Sequence, residues 1–325
     1  TSALYGRAPH NGNRLFDKAQ AEHWIGFAAM QKGDNATAEE MFQKYYASAV
    51  KLASMDRGNF KWQKEVAYGL QAVSVMDKNM GRTAEAERGM QQQLALYRGW
   101  LKQYPSNPQL RFEAANVVSW LGSLALEQGK LGLAEDYFTE NVLDLKQNMA
   151  TEPNNADWKD DSVYALNWLA KVQEQRGELG AARANLATAT ATAAALYAQD
   201  PENNDWRTSL ALRRLSLSRL DAVDQPRKAM AEAEDAESLL VAARAKDPRS
   251  QPILDGVVHV YNQLALLALS RGDTGGGARN VAAALALIEP AWKAAQNDVL
   301  REALAQTRLL QGEVAQREGR IADAT

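Results

Sequence analysis

Apolar residues along this chain recur at steps of three and four. Between Pro105 and Gly129 a stripe runs through Leu110, Ala114, Val117, Val118, Leu121 and Leu124. That spacing places the side chains on one face of a helix. Asn107, just before the stripe, is a residue type that caps helix amino termini, and Gly129, just after it, supplies the positive φ that ends a helix in a tight turn. The same steps resume through Leu133, Ala134, Tyr137, Phe138, Val142, Leu145 and Met149, and Glu152-Pro153-Asn154-Asn155 closes the unit. The pattern predicts two antiparallel helices of about 20 residues, each about 30 Å long. No stretch alternates long enough to argue for a strand, so the fold class read from the pattern is all-α.

This punctuation is copied along the chain. Gly33, Gly81, Gly129 and Gly177 fall 48 residues apart, and Gly272 and Gly319 follow 95 and 47 residues further on. Pro105, Pro153 and Pro201 lie 24 residues after a turn glycine, and Asn59, Asn107, Asn155 and Asn203 are spaced by 48. Ala38, Ala86, Ala134 and Ala182 follow their glycines by five, and Phe42, Met90, Phe138, Leu186 and Val281 by nine. A period of this size marks stacked copies of one supersecondary unit. The expectation is a single array over residues 1–325, with about six helix pairs and partial repeats at both ends. Its turns fall near residues 33, 81, 129, 177, 224, 272 and 319. The fifth turn lacks a glycine and reads Asp221-Ala222-Val223-Asp224-Gln225-Pro226. There Asp224 suits a cap and Pro226 a first helical turn. The alanine- and threonine-rich run 187–195 is read as a closely packed helix.

The order Leu121-Gly122, Gly129, Ala134, Phe138, Pro153 resembles the tetratricopeptide repeat (TPR), and Ile25-Gly26 with Gly33, Ala38 and Phe42 fits the same motif. The resemblance implies a right-handed α-α superhelix of antiparallel helix pairs. It also implies that Gly122 and Ala134 stand where two helix backbones approach closely. The common repeat is about 34 residues long; one heptad added to each helix gives 48 and keeps the buried face in register to within about 20°. Long repeats of this kind are similar to those of bacterial multidomain signalling proteins, beside kinase, cyclase or winged-helix domains. Leu4-Tyr5 to Pro9 and Gly319 to Ala324 read as parts of interrupted repeats, so the chain is expected to be a piece of a longer protein.

Composition narrows the function classes. The net charge is −3 with both signs interspersed and no long basic run, so the electrostatic source of a nucleic-acid groove is missing. No segment reads as a membrane span, and no membrane contact is expected of this chain. The absence of cysteine excludes thiolate chemistry and weakly fits an extracytoplasmic location; the compartment stays open. His10, His23 and His259 are isolated in sequence and form no metal pair. Asp157, Asp160 and Asp161 gather at a helix start, where the dipole favours carboxylates. Gly275-Gly276-Gly277 has no preceding strand or lysine and reads as a permissive turn. No nucleophile stands in a recognisable motif. The expectation is a non-enzymatic module without cofactor or metal.

In the family resembled, the first helix of each unit lines a concave groove, and residues nine and ten before the turn glycine point toward it. Those positions hold His23, Trp24, Trp120, Asn167, Trp168 and Asn262, with Asn116, Tyr164 and Lys171 in the same stripe. Tryptophan faces beside amides suit an extended peptide or a helix. Tryptophan at a fixed phase of a repeat is more often packing between units, so groove and core both remain open for these tryptophans. Trp62, Trp158 and Trp206, just after an Asn cap, are read as structural. Lys171, Arg213 and Arg214 do not reproduce the family's carboxylate clamp. The expected function is a protein- or peptide-binding scaffold within a bacterial signalling or regulatory protein. The alternative is a spacer or self-associating element that positions a separate catalytic or DNA-binding domain; a small-ligand sensor is a third reading.

Overall fold

In a computed structural model that describes residues 11–320, thirteen α-helices and no strands are found among the described residues. Leu4 to Pro9, His10 and Ile321 to Ala324 lie outside them. The chain divides into two compact units, Thr1–Pro153 and Asn154–Thr325.

The first unit holds α1 (Gly12–Gln31), α2 (Asn35–Met55), α3 (Phe60–Asn79), α4 (Thr83–Gln103), α5 (Pro108–Glu127) and α6 (Leu131–Thr151). The second holds α7 (Ala156–Gln175), α8 (Leu179–Gln199), α9 (Asn204–Asp221), α10 (Pro226–Lys246), α11 (Gln251–Ser270), α12 (Thr274–Ala294) and α13 (Asp298–Arg317). Within each unit consecutive helices pack on one another across short turns. Odd-numbered helices begin at residues 12, 60, 108, 156 and 204, then at 251 and 298.

Local chemistry sets these boundaries. Asn11, Asn59, Asn107, Asn155, Asn203 and Asn297 each cap an odd helix through the side-chain oxygen, satisfying a backbone N–H that the first turn leaves unpaired. At the other end Gly33, Gly81, Gly129, Gly177, Gly272 and Gly319 all have φ between 71° and 80°. Each closes the same pair of hydrogen bonds: Gly129 N–H donates to Leu126 O at 3.0 Å and Lys130 N–H to Ala125 O at 2.9 Å. This is a Schellman ending, and it needs the left-handed conformation at the glycine. Nothing lies within 4 Å of where a Cβ would stand on Gly129, so a substitution there is opposed by backbone strain alone. Gly129→Ala is expected to cost about 1 kcal/mol and Gly129→Asn less, read as a shift in urea midpoint.

The turn without glycine is built differently from expectation. Gln225, not Asp224, precedes α10, and no side chain caps that helix. Gln225 N–H donates to Asp221 O at 2.8 Å. The Asp221 side chain is buried between Arg183, at 2.5 Å, and Lys228, at 2.8 Å. Burial pushes its carboxyl up, but the two cations more than offset this and hold it below the usual carboxylate range. A charge cluster thus stands where the other corners use backbone shape.

Most core clusters draw on three successive helices. In the first unit Ala67, Met90, Leu94, Tyr97, Leu110 and Val117 join α3, α4 and α5. In the second unit Leu215, Leu240 and Val257 join α9, α10 and α11. Helix α11 is long and apolar enough to cross a membrane by length and composition, but most of that stretch is buried in the protein core. The run 187–195 lies inside α8, where Ala189 and Ala193 are buried and Thr188, Thr190 and Thr192 return their hydroxyl hydrogens to carbonyls four residues back. Gly275, Gly276 and Gly277 form the first turn of α12, which Asp273 caps through Gly276 N–H.

Candidate binding groove

The first unit carries the best-formed concavity. Helix α1 contributes Gln20, His23, Trp24, Phe27 and Met30; α2 contributes Phe42 and Tyr45; α3 contributes Glu65, Tyr68, Gln71 and Val75. Together they line a cavity of about 460 Å³. A second cavity of about 30 Å³ shares Gln71 and Val75 and reaches Glu113, Asn116 and Trp120 on α5. The predicted residues His23, Trp24, Asn116 and Trp120 therefore line two adjoining cavities, an arrangement that follows from α1, α3 and α5 repeating in phase.

The walls are aromatic. His23 meets Trp24 edge-on at 5.2 Å and Tyr45 at 5.1 Å between ring centroids. Trp24 meets Phe27 at 6.0 Å, also edge-to-face, an arrangement ring quadrupoles favour. Trp24 is 62% exposed and Trp120 39% exposed. These two tryptophans thus present surface to solvent. Lys78 Nζ sits 5.2 Å from the Trp120 ring centroid while pairing with Glu127 at 2.9 Å.

The floor is polar. Glu65 is only 6% exposed, and its Oε2 accepts from Tyr45 Oη at 2.7 Å and Gln20 Nε2 at 2.8 Å. Burial, then the hydrogen bond to Glu65, drives the Tyr45 phenol well above its ordinary range. Tyr68, which turns toward Glu113 at 3.5 Å, is pushed up to about 12 by burial and the neighbouring carboxylates. Burial lowers the His23 imidazole against the upward pull of Glu65.

Sequence reasoning missed Glu65 and Tyr45. A signal existed: Glu65, Glu113 and Asp161 stand 48 residues apart, a fixed acidic phase on α3, α5 and α7.

The remaining candidates belong to the second unit. Tyr164 is exposed, and Asn167 and Trp168 are half-buried. Lys171 lies 4.9 Å over the Trp168 ring. The Arg213 guanidinium stands 5.5 Å from the Tyr164 ring and is buried; its Nε and Nη1 hydrogens, like Asp160 Oδ1, find no partner among the described residues. Burial lowers Arg213 from the ordinary guanidinium value, against Tyr164 and Asp160. Arg214 is engaged by Glu232 at 2.7 Å and Asp235 at 2.9 Å, which leaves no free cationic row for a carboxylate clamp.

Two residues depart from the sequence reading. Asn262 is 7% exposed, and its Oδ1 accepts from Thr307 Oγ1 at 3.1 Å; α13 packs on α11 and covers it. Of the acidic trio only Asp157 lies in the first turn of α7. Asp161 is raised to about 6 by burial, then by Asp160 and Asp157, so the dipole alone does not account for the cluster. Trp158 is buried, while Trp62 and Trp206 are half-buried against their caps, consistent with structural roles.

No protein-family model and no curated protein matches the chain. Solved structures do. BtubC of P. vanneervenii aligns at 16% identity and a TM-score of 0.59, covering 80% of this chain and 92% of its own. The S. pombe nuclear import adaptor Nro1 aligns at 13% identity and 0.56, covering 91% and 99%. A structure of nearly identical TPR-like repeats from a Podosopora anserina kinesin light chain aligns at 17% identity and 0.52, covering 74% and 99%. Likeness at these identities speaks to fold, and the fold it shows is the TPR-like helical repeat.

Proposed function

We propose that the chain is a non-catalytic module that binds a peptide or an extended protein segment along the α1, α3 and α5 face of its first unit. The observation that carries this reading is the aromatic cavity of about 460 Å³ with an exposed tryptophan at its edge and a second one beside the adjoining cavity. Exposed aromatic rings around a concavity are the usual anchors of recognition. The exposed Gln71 and the half-buried Asn116 offer amide groups to a ligand backbone. Tyr164, Asn167, Trp168 and Lys171 form a second candidate surface on the other unit.

The reading extends to a single repeat array, because the 48-residue spacing runs from Gly129 to Gly177 through the division at residue 153. It extends also to a place in a larger bacterial signalling or regulatory protein, on the resemblance of the long repeats. Nucleic acid and membrane are not partners in this proposal.

Trp24→Ala and Trp120→Ala are each expected to weaken a bound peptide about tenfold, near 1.4 kcal/mol. Fluorescence anisotropy on a labelled peptide selected against the protein checks this, with circular dichroism to confirm folding. Unchanged affinity in both folded variants rejects the groove. A second reading, self-association, draws on Val299 and Leu309, exposed on α13. A mass that stays monomeric in light scattering over a wide concentration range rejects it.

A further inference from the structure

We infer that the larger of these two adjoining cavities selects a basic side chain, an arginine or lysine of the bound peptide, by seating it on Glu65 between aromatic walls. The inference rests on the peptide-binding reading and names the chemistry of its anchor.

Three observations converge. Among the described residues both hydrogen bonds that Glu65 receives go to Oε2, and Oε1 accepts none. The residue is nevertheless nine-tenths buried and lines the cavity. A carboxylate oxygen on a largely buried side chain, open to the cavity and without a donor, is a strong acceptor waiting for one.

The surroundings favour a cation over a neutral donor. Trp24, Phe27, Phe42, Tyr45 and Tyr68 ring the cavity, and aromatic faces attract cations by a further increment when water is displaced. Among the described residues no lysine or arginine lines either cavity, and the adjoining one adds a second carboxylate, Glu113. His23 does not supply a competing charge, because burial lowers its imidazole. The lysines nearby stay at the rim: Lys64 lies 5.9 Å from the Tyr68 ring, and Lys78 is held by Glu127.

Geometry then separates the ligand's parts. The charged end meets Glu65 Oε1, and the aliphatic stem passes the rings. Met30, Ala72 and Val75 at one side take an adjacent apolar residue. Arginine suits the site better than lysine, since its planar head can stack on a ring and still donate to a carboxylate.

The test uses the intact chain and a phage-displayed library of random peptides. Recovered peptides are synthesised and titrated by anisotropy against the wild type, Trp24→Ala and Glu65→Gln. The expected result is a shared basic position in Trp24-dependent binders. Exchange of that residue for norleucine weakens binding to the wild type about tenfold or more. In Glu65→Gln, where the Tyr45 and Gln20 contacts keep an acceptor, the same exchange changes binding less than about twofold. If Glu65→Gln fails to fold, the norleucine exchange on the wild type decides alone. Trp24-dependent peptides with a neutral or acidic shared position, or indifferent to the exchange, overturn the cation assignment and leave the groove standing. Recovery of no Trp24-dependent peptide overturns both.

Discussion

Truncating Phe138 to alanine is expected to cost the first unit about 3–5 kcal/mol. Its ring is 0% exposed and lies under Gly122 of the paired helix, where a built Cβ would come within 3.0 Å of the ring carbons. The cost is lost transfer energy plus the cavity left between α5 and α6, which two helices fixed by a glycine turn cannot close. The same contact fixes the sign of a partner substitution. Gly122→Ala in the wild type crowds a ring that has nowhere to go, and is expected to destabilise by about 1 kcal/mol. In the Phe138→Ala background the new methyl enters the vacated space and recovers helix propensity, so it is expected to stabilise by about 1 kcal/mol. A double-mutant cycle by urea unfolding measures a coupling of about 2 kcal/mol; additive effects would show that the two helices do not meet at Gly122.

Asp161→Asn is expected to stabilise the second unit by about 2 kcal/mol at neutral pH and by nothing near pH 4. In the folded chain the carboxyl is raised to about 6 by burial and by Asp160 and Asp157. The unfolded value is near 3.9. The folded state therefore binds the proton more tightly. Its full stability is present below the unfolded value and is lost as pH rises through about 6. A shift of this size corresponds to about 3 kcal/mol, which the residual access of water reduces. The amide keeps the shape and removes the penalty, so the gain appears only between the two values and levels off above the higher one. Thermal melts at pH 4 and pH 7.5 test the sign; an equal gain at both would assign the effect to something other than charge. Asp144 in the first unit, also raised to about 6 by burial and Glu140, gives an independent site for the same experiment.

The fold was legible because its signals are local. A cap needs one Asn and the N–H three residues on; a Schellman corner needs one glycine and two hydrogen bonds. Both repeat in sequence wherever they repeat in space, so Asn107 and Gly129 sufficed to frame α5. The shared phase of Trp24 and Trp120 on α1 and α5 was legible for the same reason, but their exposure beside adjoining cavities was not, since groove and core were both open. What the sequence did not disclose was depth. Asn262 shares the groove phase, yet α13 buries it, and no residue near Asn262 in sequence carries that information. Glu65 becomes a candidate only when Tyr45 and Gln20, from two other helices, converge on one of its oxygens. The corner at Asp221 was read as a turn capped by Asp224, and its charge cluster depended on Arg183 reaching over from α8.

That corner behaves unlike its neighbours when solvent conditions change. The glycine corners keep a backbone torsion that protons and salt hardly touch, even where an ion pair such as Arg82 with Asp77 spans them. The Asp221 corner is held by one carboxylate between two cations. As pH falls through its depressed value the attraction vanishes, and the helix ends at 222–226 become the place where fraying begins. Acid thus gives the second unit a preferred point of entry for protease or exchanging solvent.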